Sequence, residues 1–248
     1  MSERIVFGVR PVDELVRARP RDVSVVYVAD GTRSPELERV VQAAKERGVA
    51  VEFRPRQLVA ELAGDAVHQG VVAIAGQFRY VTVNDILKAA SQAGEPPLLV
   101  LLDGITDPHN LGAIVRSAEV LGAHGVVIPA HRAAPVTAGA VKASAGATER
   151  VRIAEVVNLL KAVDGLRAGG VRVLGAGAGS GQRLDGVDLR GPTALVVGAE
   201  GKGMREAVAR RCDGLFHIPQ RGVVSSLNAS VAAAIALYEA ARQRASDP

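Results

Sequence analysis

Short apolar strands recur through the second part of the chain, and this pattern constrains the fold more than any other feature. The strand-like runs are LLVLLD at 98–103, GVVIP at 125–129, VRVLGA at 171–176, TALVVG at 193–198 and LFHIP at 215–219. Helical patterns lie between or after them, at 110–122, 155–168, 203–211 and 226–244. Because apolar strands alternating with helices are typical of a mostly parallel sheet covered on both faces, we predict an α/β domain. In such sheets a ligand binds beyond the carboxyl ends of the strands.

The first part of the chain predicts a smaller α/β module. A short helix is expected at 11–19, and Ser34-Pro35-Glu36 opens a second helix that runs to Arg47. Strands are expected at 23–29, 49–53 and 70–75. We therefore divide the chain into a small domain at 1–76, a linker with a first helix at 77–96, and a larger domain at 97–248.

Composition excludes several classes of protein. No apolar run approaches the roughly 18 residues of a membrane span, and the opening MSERIVFGVR lacks the apolar core of a signal peptide. Cys212 is the single cysteine and cannot form an internal disulfide. The five histidines show no metal-ligand spacing. We expect a cytoplasmic protein that uses no metal.

The charge balance mildly favours a polyanionic partner. The net charge is +4 and the sequence pI is about 9.6. The first 76 residues carry equal numbers of acidic and basic side chains, so this excess lies entirely in the rest of the chain. Local clusters in the small domain, either Arg17, Arg19 and Arg21 or Arg54 and Arg56, could still contact phosphates. A solvated charged face explains them equally well.

The first of three chemically interesting segments is 107–116, D-P-H-N-L-G-A-I-V-R, which follows a buried strand and opens a helix. The apolar stripe of that helix consists of Leu111, Ile114, Val115, Ala118 and Leu121. Arg116 falls off this stripe. It is either a surface arginine or a functional cation, and Asn110 is either a helix cap or a functional amide.

The second segment, 198–204, is G-A-E-G-K-G-M and again follows a buried strand directly. Three glycines in six residues allow tight turns and a close approach of the backbone to a ligand. Glu200 stands between two of them, so it is either an acidic residue of an exposed turn or part of a site.

The third segment, 217–230, places four polar side chains before a long helix of small residues. The start of a helix attracts anions because its backbone N–H groups lack partners, but Ser225 or Ser226 could simply cap the helix. The helix itself is apolar nearly all round. Such a helix is buried within its domain or against a partner subunit.

Motifs typical of other nucleotide-binding proteins and of hydrolases do not fit this sequence. The glycine-rich run at 175–181 follows a strand, but its spacing does not fit G-x-G-x-x-G and no helix pattern follows it. A Walker A motif and a G-x-S-x-G elbow are also absent from the sequence. A dehydrogenase, a phosphoryl transferase and an α/β-hydrolase are therefore disfavoured.

Taken together and in order, the three segments resemble the signature motifs of the SpoU/TrmH-type RNA 2′-O-ribose methyltransferases. The likeness runs over about 97–244, and the stretches Pro135-Val136 and 142–149 resemble the family's intermediate segment. The stretches GVRPVDELV at 8–16 and HQGVVA at 68–73 are similar to the small RNA-binding domain of the ribosomal-RNA branch. The layout is closest to the branch that methylates a guanosine in the peptidyl-transferase region of 23S rRNA.

This resemblance implies a fold and a cofactor. It implies a SPOUT-type fold with a deep C-terminal trefoil knot, a homodimer packed through the knotted domain, S-adenosyl-L-methionine as cofactor and ribosomal RNA as partner. The implied cofactor contacts are Leu174, Gly175, Ala176, Val197, Gly198, Glu200, Gly201, Ile218, Pro219, Ser226 and Leu227. The implied catalytic set is Asn110, Arg116, Glu200, Ser226 and Asn228.

The resemblance also suggests roles within this set. Arg116 would orient the ribose hydroxyl and a phosphate and stabilise developing alkoxide charge. Asn110, Ser226 and Asn228 would position the arginine and the ribose, and Glu200 would anchor the network. Three alternatives stay open: the same chemistry on a transfer-RNA guanosine, the same chemistry on a ribosomal adenosine whose methylation confers antibiotic resistance, and a non-catalytic RNA-binding assembly factor.

Overall fold

A computed structural model describes residues 3–64, 67–177, 179, 181–222 and 226–245. In chain order the elements are β1 (Arg4–Phe7), α1 (Val9–Ala18), β2 (Val23–Ala29), α2 (Pro35–Glu46), β3 (Val51–Arg54), α3 (Arg56–Ala63), β4 (Val71–Ala75), α4 (Val83–Ala93), β5 (Leu98–Asp103), α5 (Pro108–Val120) and β6 (Gly125–Pro129). They continue as α6 (Ala138–Ala143), β7 (Arg152–Val156), α7 (Leu159–Ala168), β8 (Arg172–Ala176), β9 (Gln182–Arg183), β10 (Thr193–Gly198), α8 (Glu206–Ala209), β11 (Gly214–His217) and α9 (Ala229–Ala245). The chain divides into two units, Met1–Arg79 with Val136–Arg150, and Tyr80–Pro135 with Val151–Pro248.

The smaller unit is built on a sheet of order β1-β4-β2-β3. Strand β4 is antiparallel to β1 and β2, while β2 and β3 are parallel and joined by α2. Helices α1 and α2 cover one face of the sheet with buried residues such as Leu15 and Val40. Helix α3 covers the other face, where Val59 packs against Phe7 and Val72. The predicted α/β character of this part of the chain is confirmed.

The segment 136–150 belongs to this smaller unit although the sequence analysis assigned it to the larger domain. Val141 joins the core beneath α1 and α2. The side chain of Glu149 is fully buried and accepts two hydrogen bonds of 2.8 Å from the Arg4 guanidinium. Arg19 also approaches Glu149, with Nε 3.7 Å from Oε2. Periodicity does not reveal such a packing, because a glutamate normally indicates a solvated position.

The larger unit carries a sheet of order β7-β6-β5-β10-β8-β11-β9, and each recorded pairing in it is parallel. Helices α4, α7 and α8 cover one face, with Ile86, Val163 and Val208 in the core. Helices α5 and α9 pack together, and α9 also contacts β10. The parallel α/β domain predicted from the strand pattern is confirmed. Strand β11 pairs with β8 on one side and with β9 on the other.

Several element boundaries differ from the predicted ones for identifiable reasons. The helix expected at 155–168 begins at Leu159, because the missed strand β7 ends at Val156 and Asn158 caps the helix by accepting from two backbone N–H groups. The helix expected at 203–211 shortens to α8. Strand β1 and helices α3 and α6 were not predicted. No helix within the described residues is long and apolar enough to cross a bilayer.

Candidate active site

The carboxyl ends of β5, β8, β10 and β11 meet at one edge of the larger sheet, and a cleft of about 660 Å³, partly open to solvent, lies there. This is the edge at which parallel sheets bind ligands. Most of the residues predicted to contact a cofactor line it: Ala176, Val197, Gly198, Glu200, Gly201, Ile218, Ser226 and Leu227. Further lining residues that the sequence analysis did not name are Gly177, Ala199, Gly203, Phe216, Gln220, Ala229 and Ala232.

One wall of the cleft is the loop that follows β10. The backbones of Ala199 and Gly203 exchange two hydrogen bonds, of 3.1 and 2.8 Å, so the loop folds back on itself. A Cβ atom on Gly198 would lie 2.2 Å from backbone atoms of Gly203 and Met204. Since the backbone cannot move aside as a flexible side chain can, only glycine fits at 198. The turn leaves Glu200 exposed at its tip.

A buried carboxylate fixes the far end of the same loop. Asp103, the last residue of β5, has a side chain only 1% exposed. It accepts hydrogen bonds of 2.7 Å from both the backbone N–H and the Nε of Arg205. This charge-assisted pair connects β5 to the loop that presents Glu200.

Three polar side chains from separate parts of the chain meet beside the cleft and form what we call the polar network: Asn110, Glu200 and Asn228. Asn110 Nδ2 donates to Glu200 Oε1 at 3.0 Å, and Asn228 Nδ2 donates to Asn110 Oδ1 at 2.9 Å. Asn228 Nδ2 also donates to Glu200 Oε1. The backbone N–H of Ala229, the first residue of α9, approaches the same oxygen at 3.4 Å.

The two asparagines of the network have different local roles. Asn228 caps α9, because its Oδ1 accepts from the backbone N–H of Ser230 at 2.9 Å and from Ser230 Oγ at 2.5 Å. The alternative cap Ser226 does not play this part, and Ser225 lies outside the described residues. Asn110 is not the cap of α5, since Asp107 accepts from the backbone N–H of His109 at 2.9 Å.

Arg116 is not brought into the polar network. It lies on α5 six residues after Asn110, which places it about 9 Å further along the helix and about 120° around it. Its side chain is exposed and forms no hydrogen bond or ion pair with any residue in the described part of the chain. Ser226 lines the cleft, likewise without a hydrogen bond to a described residue.

Three predicted cofactor contacts do not line the cleft within the described residues. Leu174 is only 2% exposed and lies inside the sheet. A Cβ atom on Gly175 would meet the Met204 and Leu215 side chains, at 2.5 and 2.9 Å, so this glycine sits behind the cleft wall. Pro219 follows the lining residue Ile218 but is not part of the lining.

The lining suits a ligand with apolar surface and a few polar groups. Ile218 and Leu227 supply apolar surface, with the buried Phe216 behind them, while the turns at 176–177 and 198–203 expose backbone groups. Glu200 supplies the single acidic side chain of the lining. No group of His, Cys, Asp and Glu suited to a metal ion occurs among the described residues. An adenosine joined to an amino-acid sulfonium matches this set of groups.

Comparison with known proteins agrees with a site for a methyl donor and an RNA substrate. The SpoU rRNA Methylase family model matches residues 97–238, and a model for RNA 2′-O ribose methyltransferase substrate binding matches residues 5–81. The 23S rRNA (guanosine-2′-O-)-methyltransferase RlmB of Photorhabdus laumondii is 40% identical over 246 residues, which cover 99% of this chain and 100% of that protein. An uncharacterized tRNA/rRNA methyltransferase of Mycobacterium sp. (strain KMS) is 42% identical over 243 residues, covering 98% of this chain and 77% of the relative.

A solved structure shares the fold over nearly the whole chain. The SpoU methyltransferase AviRb from Streptomyces viridochromogenes, in complex with AdoMet, superposes with a TM-score of 0.79 at 29% sequence identity. The match covers 98% of this chain and 91% of AviRb. The fold, the cleft and these matches together define an S-adenosylmethionine-dependent RNA methyltransferase. The chain belongs to the SpoU rRNA Methylase family, whose model matches more than half of it.

The lining residues missed at the sequence level carried weak signals. Gly177 continues the glycine-rich run that was set aside when the dinucleotide spacing failed. Ala232 lies one helical turn after Asn228 and so faces the same side of α9. Phe216 belongs to a buried strand and is itself 0% exposed, so nothing in the sequence separates it from an ordinary core residue.

Proposed function

We propose that this protein transfers a methyl group from S-adenosylmethionine to the ribose 2′-hydroxyl of a guanosine in the peptidyl-transferase region of 23S rRNA. The observation that carries the proposal is the polar network of Asn110, Glu200 and Asn228 beside the cofactor cleft. Its asparagines offer amide groups that can hydrogen-bond a ribose hydroxyl. The similarity to a 23S rRNA guanosine methyltransferase over the full length supports the choice of substrate. An rRNA substrate implies a cytoplasmic enzyme.

The residues of the cleft would bind the cofactor, and those of the polar network would position the ribose. When bound, S-adenosylmethionine supplies an electrophilic methyl group; Gly198, Ile218 and Leu227 would hold it in the cleft. Glu200 accepts hydrogen bonds from both asparagines, which fixes their amides in place. Because methyl transfer is an in-line displacement, much of the rate should come from this alignment of the hydroxyl.

We assign Arg116 to the RNA. An arginine stays protonated, so we give it the role of holding a phosphate beside the reacting ribose and stabilising developing negative charge rather than accepting a proton. Its guanidinium is exposed and has no hydrogen bond or ion pair with any described residue, which supports this role. Ser226, at the cleft, would position the ribose.

The knot and the homodimer belong to the same proposal. Strand β11 lies between β8 and β9 in the sheet although it follows both of them in the chain, and this order supports the knot. Helix α9 buries one face through Ala233 and Leu237 but exposes Val231 and Tyr238. These two side chains are seven residues apart and share one helical face, which supports a packing against a second copy.

Tritiated methyl transfer to unmodified 23S rRNA, with transfer RNA in parallel and mapping of 2′-O-methyl positions, tests the function. Label on one guanosine of 23S rRNA is the expected result. Label on transfer RNA or on a ribosomal adenosine would replace the substrate but keep the chemistry. An absence of label on every RNA, with S-adenosylmethionine bound, would favour a non-catalytic assembly factor.

The variant Arg116→Ala tests the assigned role. Methyl transfer should be lost, while the affinity for S-adenosylmethionine stays close to that of the wild-type protein. A loss of cofactor affinity with methyl transfer preserved would contradict the assignment.

A further inference from the structure

The smaller unit carries a groove of its own, and its lining shares no residue with the active-site cleft. Its floor is formed by Val28 and Ala29 of β2, one wall by residues of α2 such as Val41, and the other wall by Phe53 of β3. Arg33, on the loop between β2 and α2, and Glu38, on α2, are the charged residues of its lining. The groove has a volume of about 900 Å³, which includes space open to solvent. We call it the Phe53 groove.

Phe53 is unusual in this chain. The sequence contains no tryptophan and four phenylalanines, and Phe53 is the one phenylalanine among the described residues whose ring is exposed, at 57%. Phe7 and Phe216 are buried in the cores of their units. An exposed aromatic ring along a groove offers a flat apolar surface to a planar ligand.

Arg33 provides a positive charge that the protein itself does not neutralise. Its side chain is exposed and has no hydrogen bond or ion pair with any described residue. Neighbouring arginines differ: Arg39 pairs with Glu36 at 3.6 Å, and Arg54 pairs with Glu52. The Arg33 guanidinium is therefore available to an external anion.

Two other arginines of the smaller unit have acidic partners. Of the cluster Arg17, Arg19 and Arg21, the first pairs with Asp13 at 2.8 Å and the second lies against the buried Glu149. Their charges are largely compensated within the unit. A phosphate would gain more at Arg33 than at those two positions.

A hydroxyl without a partner lies beside Arg33. Thr32 Oγ1 is buried and has no hydrogen bond to any described residue, although Thr32 lines the groove. Buried polar atoms are nearly always paired, so an unpaired one next to a groove is consistent with a partner that the protein does not supply.

We propose that the Phe53 groove binds an unpaired nucleotide of the RNA substrate, with the base stacked on Phe53 and a phosphate held by Arg33. Proteins that recognise single-stranded RNA combine an aromatic platform with a cation in this way. The match of residues 5–81 to a substrate-binding family supports RNA as the occupant. The inference rests on the proposed function only in taking RNA as the methylation substrate.

A single-tryptophan reporter tests the stacking directly. Because the chain has no native tryptophan, Phe53→Trp gives a protein whose indole emission comes from the groove alone. Titration with unmodified 23S rRNA should quench this emission in step with binding measured by the anisotropy of labelled RNA. Unchanged emission while the RNA binds would overturn the proposal. Emission that changes with protein concentration alone would also overturn it, since a second copy would then cover the groove.

Affinity measurements supply the matched control. Phe53→Ala should raise the Kd for RNA about tenfold, and Phe53→Tyr should stay close to wild type. Leu58→Ala removes an apolar side chain that is 41% exposed on α3, outside the groove, and should leave the Kd unchanged. Arg33→Gln should weaken RNA binding. It should also reduce the slope of log Kd against log salt concentration by about one, because one phosphate contact is lost.

The measurements distinguish a failure of the groove proposal from a failure of the proposed function. If Phe53→Ala binds RNA as tightly as Leu58→Ala does, the groove is not the RNA site, whatever the activity of the enzyme. If the wild-type protein binds no RNA although it binds S-adenosylmethionine, the proposed function fails and the groove proposal fails with it.

Discussion

The amide of Asn228 donates a hydrogen bond of 2.9 Å to Asn110 Oδ1, so the residue that caps α9 is joined to the first turn of α5 across 118 residues of sequence. Both amides also reach Glu200 Oε1. The carboxylate thus joins two helix starts beside the cleft.

Asn110→Ala should lower kcat for methyl transfer about 100-fold, because misplacing groups that align a hydroxyl costs rate rather than cofactor affinity. Asn110 does not line the cleft, so the Kd for S-adenosylmethionine should stay near the wild-type value. Single-turnover kinetics and calorimetric titration measure the two quantities separately.

Asp107→Ala is the matched control on the same helix turn. It removes the cap of α5 and should cost about 1 kcal/mol of stability with methyl transfer retained. The role given to Asn110 would be contradicted if both variants lost the same fraction of activity.

Glu149→Ala should lower the free energy of unfolding by about 3–5 kcal/mol, because it leaves the Arg4 guanidinium without its buried partner. The control Glu52→Ala breaks the exposed pair with Arg54 and should cost about 1 kcal/mol or less. Urea denaturation measures both. Equal effects of the two substitutions would show that the 136–150 segment does not stabilise the smaller unit through Glu149.

His124 should make stability depend on pH. Burial lowers the pKa of this imidazole, opposed by Glu95 and aided by Arg244 and Arg152. Its side chain is 9% exposed, and its Nδ1 accepts from the backbone N–H of Leu98 at 3.1 Å. Since the folded pKa lies below the unfolded value of about 6.5, the contribution to stability is complete above that pH and is lost as the pH falls through the folded pKa.

The difference between wild type and His124→Gln isolates this contribution. Between pH 7.5 and pH 5, urea denaturation should show a steeper loss of stability for the wild-type protein than for the variant. Parallel pH profiles would show that His124 is not held in its neutral form.

Tyr238→Arg should convert the proposed homodimer into a monomer, because it places a charge on the exposed apolar face of α9. Tyr238 is 59% exposed in the single chain. Val157→Arg is the control, since Val157 is 84% exposed at a position away from α9 and should leave the oligomeric state unchanged. Sedimentation velocity measures the mass. A wild-type protein that sediments as a monomer, or a Tyr238→Arg variant that stays dimeric, would contradict this interface.

The sequence by itself determined the parallel sheet and most of the cleft. Strands 98–103, 125–129 and 193–198 were predicted with their observed bounds, because a run of apolar residues between helices has few other stable solutions. Glycines after such strands mark the ligand edge, and Gly198 and Gly201 do line the cleft. Local composition and periodicity carry the strands and the ligand edge, whereas the set of expected cofactor contacts came from the resemblance to the SpoU/TrmH-type enzymes.

Only the tertiary structure decided which distant side chains meet. The contact of Glu200 with Asn110 and Asn228, the ion pair of Glu149 with Arg4, and the exposure of Phe53 depend on how elements far apart in sequence pack together. A glutamate at 149 or a phenylalanine at 53 has the same local signature whether it is buried or exposed. Burial and pairing are properties of the packed chain, and periodicity along one element does not contain them.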